Sequence, residues 1–452
     1  MRHRWGLART LFPLALAACG GSAPSGTSLE DGVVVSVDRS SAARDPLSSI
    51  ATSTVAGATT ANNAFAVSLY SQVLSTTAQG NVLTSPLSAS LALTMTYAGA
   101  AGQTATEMAA ALQFGSAAGS IFSGQNALSQ ALASRAATAL AADQQSLQGT
   151  SLPAPSASDY QFQVVNSVWG QTGYSWQTPF LNILAQSYGT GVYVEDFIHQ
   201  WVQATATINA WVSAETADKI NNLLLPGSID TTTRIVLVNA VHVKLPWASP
   251  FTASATTPGT FTRADGTTVS ASFMNQPEIC CYVDDGQAQI VWLPLSGGQV
   301  SVVIALPHAD LATYEAGLTT GSAALAQPAS VGTANLSLPK VTFTSPSFSL
   351  KSALEAMGMV QAFDPGTANF SGMSADSLYI SDVLQKATIA MQETGVEAAA
   401  ATAVLGETIS GAVAPPPVMV VNRPYLIAVV DDPTGAIVFL GHVEDPTATG
   451  SP

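Results

Sequence analysis

Residues 386–410, KATIAMQETGVEAAAATAVLGETIS, limit what this chain can fold into more than any other stretch. An apolar run suited to a strand, 387–391, stops at Glu393-Thr394-Gly395. It gives way to Val396, Glu397, four alanines and Thr402, side chains with almost no bulk. Alanine-rich runs favour helix, and alanine is common throughout this chain, so helix and a small-residue loop are both open. A third reading is a conditional strand, exposed in one state and taken into a sheet in another. Val396, Ala398, Ala400 and Thr402 would then share one face, with Glu397, Ala399, Ala401 and Ala403 on the other. Lack of bulk is what insertion into a close-packed sheet demands.

The rest of the chain can supply such a sheet. It has 452 residues, 47% of them hydrophobic and 10% charged, too apolar for disorder. The net charge of -15 argues against nucleic acid, glycosaminoglycan or anionic lipid as partners. Arg2, Arg4 and Arg9 precede an apolar stretch over 11–18 that is too short to span a bilayer. Residues 1–18 therefore read as a signal peptide, and its end, Leu16-Ala17-Ala18-Cys19-Gly20, resembles the lipobox of bacterial lipoproteins. That resemblance makes Cys19 the lipidated first residue of the mature chain; an ordinary signal peptide with a chance cysteine is the alternative. Cleavage leaves 11 basic against 29 acidic residues, a net of -18. Cys280 and Cys281 then remain, and adjacent cysteines do not suit the usual disulfide geometry.

Residues 19–61, rich in Ser, Thr, Ala and Gly, read as a flexible tether, residues 62–447 as one folded body, and 448–452 as a tail. Phe65, Leu69 and Val73, with Tyr70 and Leu74, mark a helix face. Ser85-Pro86 reads as an N-cap with proline at the first helical position, the helix ending at Gly99. Thr104 and Glu107 read as a capping box. A polar, Pro-containing loop is expected over 143–159, strands over 162–169, 235–244, 291–295, 300–306, 335–343, 426–430 and 436–440, and helices over 208–220 and 354–360. The 235–244 run is nearly all apolar and should be buried on both faces. Helices lead and strands follow, which indicates an α+β class.

No enzyme signature accompanies this pattern: there is no G-x-S-x-G, phosphate-binding glycine loop, H-E-x-x-H or C-x-x-C. His199, His242, His308 and His442 are scattered without metal-ligand spacing. The expectation is a protein that is not an enzyme and needs no cofactor or metal.

Several separated blocks together resemble the serpin family of protease inhibitors. They are Asn81-Val82-Leu83-Thr84-Ser85-Pro86-Leu87-Ser88; Ile208-Asn209-Ala210-Trp211-Val212; Leu237-Val238-Asn239-Ala240-Val241 with Lys244, Trp247 and Phe251; Leu338-Pro339-Lys340; Asn369-Phe370-Ser371-Gly372; and Asn422-Arg423-Pro424-Tyr425 with Phe439-Leu440-Gly441. They occur in family order from about residue 62 to 446. The resemblance implies helices packed around a large mixed central sheet plus two smaller sheets, with an exposed reactive-centre loop. It places Glu393 at the loop base, Gly395 and Val396 at a hinge, and Glu397, Ala398, Ala399, Ala400, Ala401 and Thr402 in the insertable segment. Val396 replaces the more usual threonine, a change that keeps volume and neutrality. Counting from the hinge glycine puts the scissile bond at Ile409-Ser410, with registers at Thr408 and at Leu405-Gly406 as the alternatives. Ser85, Ser88, Asn239, Lys244, Trp247, Lys340, Gln385 and Lys386 belong to the sheet-opening region, with Gln385 standing where the family usually has histidine. Lys340 and Glu393 correspond to an ion pair near Trp247.

The implied function is suicide inhibition of a serine endopeptidase. A β-branched residue at the cut suits an elastase-like or other aliphatic-preferring protease, and a cysteine protease is a second class the loop admits. The expected form is an exported monomer held at a membrane through Cys19, in the periplasm or at the cell surface, or otherwise secreted. The rival readings are a non-inhibitory serpin, substrate-like or a binding scaffold, and an unrelated lipoprotein binding module.

Overall fold

A computed structural model describes residues 25–30, 33–76, 80–151, 153–326, 331–396 and 415–450. The signal peptide and Cys19 lie outside the described residues. The chain opens with strands β1 (Ser25–Glu30) and β2 (Val33–Asp38), then helix α1 (Thr52–Thr76), strand β3 (Val82–Thr84) and helices α2 (Pro86–Tyr97), α3 (Gly102–Ala111), α4 (Ile121–Ala133) and α5 (Arg135–Ser146). Strand β4 (Gln161–Gln171), helix α6 (Thr178–Ile183), strand β5 (Val192–Glu195) and helix α7 (Phe197–Glu215) follow. A strand-rich half comes next: β6 (Ile235–Pro246), β7 (Thr257–Thr262), β8 (Thr268–Asp284), β9 (Ala288–Pro294) and β10 (Val300–Pro307). After α8 (Leu311–Ala316) come β11 (Gly332–Pro339), β12 (Val341–Thr344), β13 (Phe348–Ser349) and α9 (Lys351–Ala356). The chain closes with β14 (Ile380–Gln392), β15 (Gly395–Val396), β16 (Val418–Val420), β17 (Tyr425–Asp431) and β18 (Ala436–Val443).

The main sheet is mixed and runs β1-β2-β5-β4-β6-β15-β14-β12, with β13 also on β14. The expected two smaller sheets are joined by the long β8 into one path, β16-β11-β8-β9-β10-β17-β18-β3, with β7 on β8. Strand β6 is buried on both faces, as its unbroken apolar run predicts. Ile235, Leu237, Val241, Val243 and Leu245 face the larger core, which also holds α1 and α2. Val236, Val238 and Ala240 face a second core with Trp169, Tyr193 and Trp211, beneath α7. This is the two-residue period of a strand divided between two layers. Helix α2 is enclosed on all sides, every residue from Pro86 to Thr96 being buried, and a side chain at Gly99, just past its end, would collide with Met373.

Five expectations are corrected. Folded structure begins well before residue 62: β2 pairs antiparallel with β5, Val35 and Val37 join the core under α7, and Arg44 donates to Asn126 and Ser129. The alternating Val33, Val35 and Val37 supply that strand inside a stretch whose composition otherwise reads as tether. Ser85 does occupy the N-cap position before Pro86, but its hydroxyl makes no cap and donates instead to the Val438 carbonyl. Thr104 and Glu107 do not form a capping box, because α3 starts at Gly102. Glu107 accepts from the backbone N–H groups of Val360 and Gln361, and Thr104 from Asn369 N–H, so tertiary partners take both side chains. The 335–343 run is two strands in two sheets, divided at Pro339-Lys340. The helices also lie earlier than expected, α7 ending at Glu215 and α9 at Ala356. Among the described residues no helix is long and apolar enough to cross a membrane.

Candidate functional site

The centre of the main sheet changes character along its length. Strands β6 and β14 pair parallel, from Ile380 opposite Ile235 to Ala387 opposite Val241. Above that level β15 lies between them. Val396 stands opposite Met391 of β14 and Leu245 of β6, and Gly395 opposite Gln392 and Pro246, antiparallel on both sides. The turn at Glu393-Thr394 thus folds the end of β14 back into its own sheet. Val396 is 2% exposed and belongs to the larger core. A bulky or charged residue could not occupy that place without displacing the strand.

The turn is held by its neighbours. The indole N–H of Trp247 donates to the Gln392 carbonyl (2.8 Å), and its backbone N–H donates to the Thr394 carbonyl (3.0 Å). Phe251 N–H donates to the Glu393 carbonyl (2.8 Å). The Glu393 carboxylate takes Lys340 Nζ at 2.9 Å and the Thr256 hydroxyl at 2.9 Å. Partial burial pushes this carboxyl upward, but the Lys340 and Thr256 hydrogen bonds outweigh it and hold its pKa below the ordinary value. Both partners keep some solvent contact, so the ion pair is worth about 0–1 kcal/mol and its role is to position the turn.

Beneath the opening a row of amides crosses three strands. Asn166 of β4 lies opposite Asn239 of β6, and Asn239 lies opposite Gln385 of β14. Gln385 is fully buried. Its Oε1 accepts from Ser85 N–H (3.0 Å), and its Nε2 donates to the Ser85 carbonyl (2.9 Å) and to Asn239 Oδ1 (2.6 Å). Asn239 Nδ2 donates to the Leu384 carbonyl (2.9 Å), and Ser88 Oγ sits 2.7 Å from the Asn166 amide. An amide both donates and accepts, so glutamine satisfies the positions around it without a titratable group.

Of the sequence-expected residues, Ser85, Ser88, Asn239 and Gln385 thus meet under the sheet, while Trp247, Lys340, Glu393, Gly395 and Val396 meet at its mouth. Two others point elsewhere. Lys244 pairs with Asp159 at 2.9 Å, and Lys386 crosses to the Asn221 carbonyl (2.8 Å), its pKa lowered by burial. Glu397, Ala398, Ala399, Ala400, Ala401, Thr402, Ile409 and Ser410 lie outside the described residues. Asn166 and Thr256 are participants the sequence did not signal. Neither sits in a motif, and each acquires its role from a partner far along the chain. Among the described residues no cluster of His, Cys, Asp or Glu is arranged to hold a metal ion.

Comparison with known proteins agrees with this architecture. The family model described as serpin (serine protease inhibitor) matches residues 60–446. An uncharacterized serpin-like protein of Methanosarcina acetivorans is 31% identical over 393 residues, covering 86% of each chain. The human leukocyte elastase inhibitor is 29% identical over 399 residues, 85% of this chain and 98% of that one. The native structure of the thermophilic serpin tengpin superposes with a TM-score of 0.71 at 26% identity, covering 85% of this chain and 93% of that one. With the family pattern spanning nearly the whole folded body, and with relatives matched over most of their own length, the chain belongs to the serpin family.

Proposed function

We propose that this chain inhibits serine endopeptidases as a single-use bait, cut at Ile409-Ser410 and then closed by insertion of its own loop. The observation that carries the reading is β15, two residues antiparallel to both neighbours at the head of a parallel pair. Continuing its register, each further residue lies one lower on β6, so Thr402 comes opposite Asn239 and Gly406 opposite Ile235. On the β14 side the same count brings Thr402 opposite Gln385. The one polar side chain on the core-facing row of the insert therefore meets the two amides that now hold each other. Ala398 and Ala400 fall on the tightly packed face with Val396, where small volume is required. Insertion replaces a parallel pairing with two antiparallel ones, which are slightly more stable per residue.

The protease supplies the chemistry. Its serine attacks the Ile409 carbonyl, giving an acyl-enzyme and releasing the Ser410 amine. Ten residues of further insertion, 397–406, carry the tethered enzyme about 33 Å along the sheet. Displacing a catalytic group by even 1 Å costs on the order of 10² in rate, and loss of one oxyanion donor on the order of 10²–10³, so deacylation stalls. The sharp chemistry belongs to the target; this chain, itself no enzyme, contributes bait and stored conformational change. A β-branched residue before the cut favours an elastase-like or other aliphatic-preferring target, and the name of the human relative points the same way. The proposed setting is outside the cytoplasm, with Cys19 as a lipid anchor and the folded body a monomer.

Incubation with an elastase tests the reading. The expected result is a complex that survives SDS, with a new N-terminus at Ser410. Cutting there without a complex would make the chain a substrate-like, non-inhibitory member, and no cutting in 397–410 would overturn the loop assignment.

A further inference from the structure

Strand β8 loses its alternation twice in succession, its register with β11 shifting over 276–279 and again over 279–282. Ile279 and Tyr282 are both buried, three residues apart, where a regular strand returns to the same face every two. Its register with β11 gives the cause: Ile279 lies opposite Ala334 and Tyr282 opposite Gly332, three steps on β8 against two on β11. The additional residue is a β-bulge. Cys281 carries the irregularity at φ 69°, in the left-handed region that non-glycine residues rarely enter. On a regular strand Cys280 and Cys281 would point to opposite faces. Here Cys280 is exposed, Cys281 is half-buried, both are free thiols, and the Cys281 thiol feels the Cys280 thiol next to it.

Cys280 also borders a usable space. Cys280 lines a cavity of about 330 Å³ whose walls include Trp247, Phe251, Trp292 and Glu278. The aromatic walls would take an apolar group attached to whatever the thiols hold. Since no cluster of three or more metal-ligating side chains stands among the described residues, the pair cannot complete the four-ligand shell of a structural zinc site.

We infer that Cys280 and Cys281 form a chelating dithiol site for trivalent arsenicals, the organic substituent seated against the aromatic wall. In the binding step a dihydroxyarsine, RAs(OH)2, exchanges its two As–O bonds for two As–S bonds. Each thiol proton leaves with one hydroxyl as water, and arsenic stays trivalent, so no oxidant or reductant takes part. Burial, with the Cys280 thiol beside it, raises the Cys281 thiol to about 12, which keeps it protonated at neutral pH and unreactive toward reagents that need a thiolate.

The test uses the full chain with Cys19→Ser, so that these two thiols are the only ones to count. Phenylarsine oxide, hydrated in water to the dihydroxyarsine, should remove both thiols from a denaturing thiol assay at one equivalent. The emission of Trp247 and Trp292 should change with the same stoichiometry. An excess of 2,3-dimercaptopropanol should restore both thiols. Cys280→Ser and Cys281→Ser should each weaken binding roughly 10²-fold or more, because a second tethered ligand adds a local concentration that a single thiol lacks. A requirement for two equivalents, or a single-serine variant that binds as tightly as the parent, would overturn the proposal. The thiol count needs no variant beyond Cys19→Ser, so a misfolded serine mutant would not blunt it.

Discussion

Replacing Val396 with arginine perturbs the hinge at the one described position where loop and core meet. The side chain is 2% exposed, between Met391 and Leu245. In the intact protein the arginine has a way out, since β15 is only two residues long and can leave the sheet. Its departure forfeits the burial of one valine, about 1.5–3 kcal/mol, and a few ladder hydrogen bonds of about 1 kcal/mol each. During insertion the way out closes. The register keeps residue 396 facing the core, and a buried guanidinium without a partner costs several kcal/mol. If about 3 kcal/mol of that reaches the barrier, insertion slows roughly 10²-fold. Deacylation by the protease is untouched, because residue 396 lies 13 positions before Ile409. The acyl-enzyme then partitions toward release, and Val396→Arg should turn the inhibitor into a substrate, read as cleaved chain without SDS-stable complex and as a sharply higher stoichiometry of inhibition. Val396→Thr, nearly equal in volume and uncharged, should still trap. Unchanged stoichiometry for Val396→Arg would refute insertion at this hinge.

The amide row and the buried histidine give two further tests. Gln385→Ala strips Ser85 N–H and Asn239 Oδ1 of a buried partner, and leaving such groups unsatisfied costs about 1–3 kcal/mol each; urea unfolding should show a loss of that order, and unchanged stability would remove the row from the account. His442 lies with Nδ1 2.7 Å from Glu315 and Nε2 2.8 Å from the Gly80 carbonyl, and Tyr70 donates to the same Glu315 oxygen. Burial pushes the imidazolium down, but the Glu315 carboxylate and the Gly80 carbonyl outweigh it and hold its pKa above the ordinary 6.5. A raised folded-state value means stabilisation that is complete below the unfolded value and is lost as pH climbs through the folded one. The destabilisation caused by His442→Gln should therefore be largest in mildly acidic buffer and shrink under alkaline conditions, and a pH-independent difference would contradict the charged pair.

How much of this could be read from residues alone follows from the range of the interactions. The Glu393–Gly395 break with small residues beyond it was legible because volume and backbone freedom are local properties, and the two-face burial of β6 was legible from its continuous apolar run. Gln385 was visible only through the family resemblance, since a single glutamine inside an apolar strand carries no sign of its partners. Asn166 was not legible at all: its role depends on pairing with Asn239 across a register that sequence spacing does not set. The misplaced capping box has the same cause, for Glu107 finds its backbone donors at 360–361 rather than in its own helix. The tether overran into β2 because three alternating valines are a weak local signal, and they become a strand only beside β5.

Hydrogen exchange on the intact and the loop-cleaved protein tests the central claim most directly. Cutting within 405–410 should confer on the amides of 398–404 the slow exchange of interior strands, with protection retained on both β6 and β14, because each then gains an antiparallel neighbour. A cleaved chain that stays folded while 398–404 gain no protection would contradict the account.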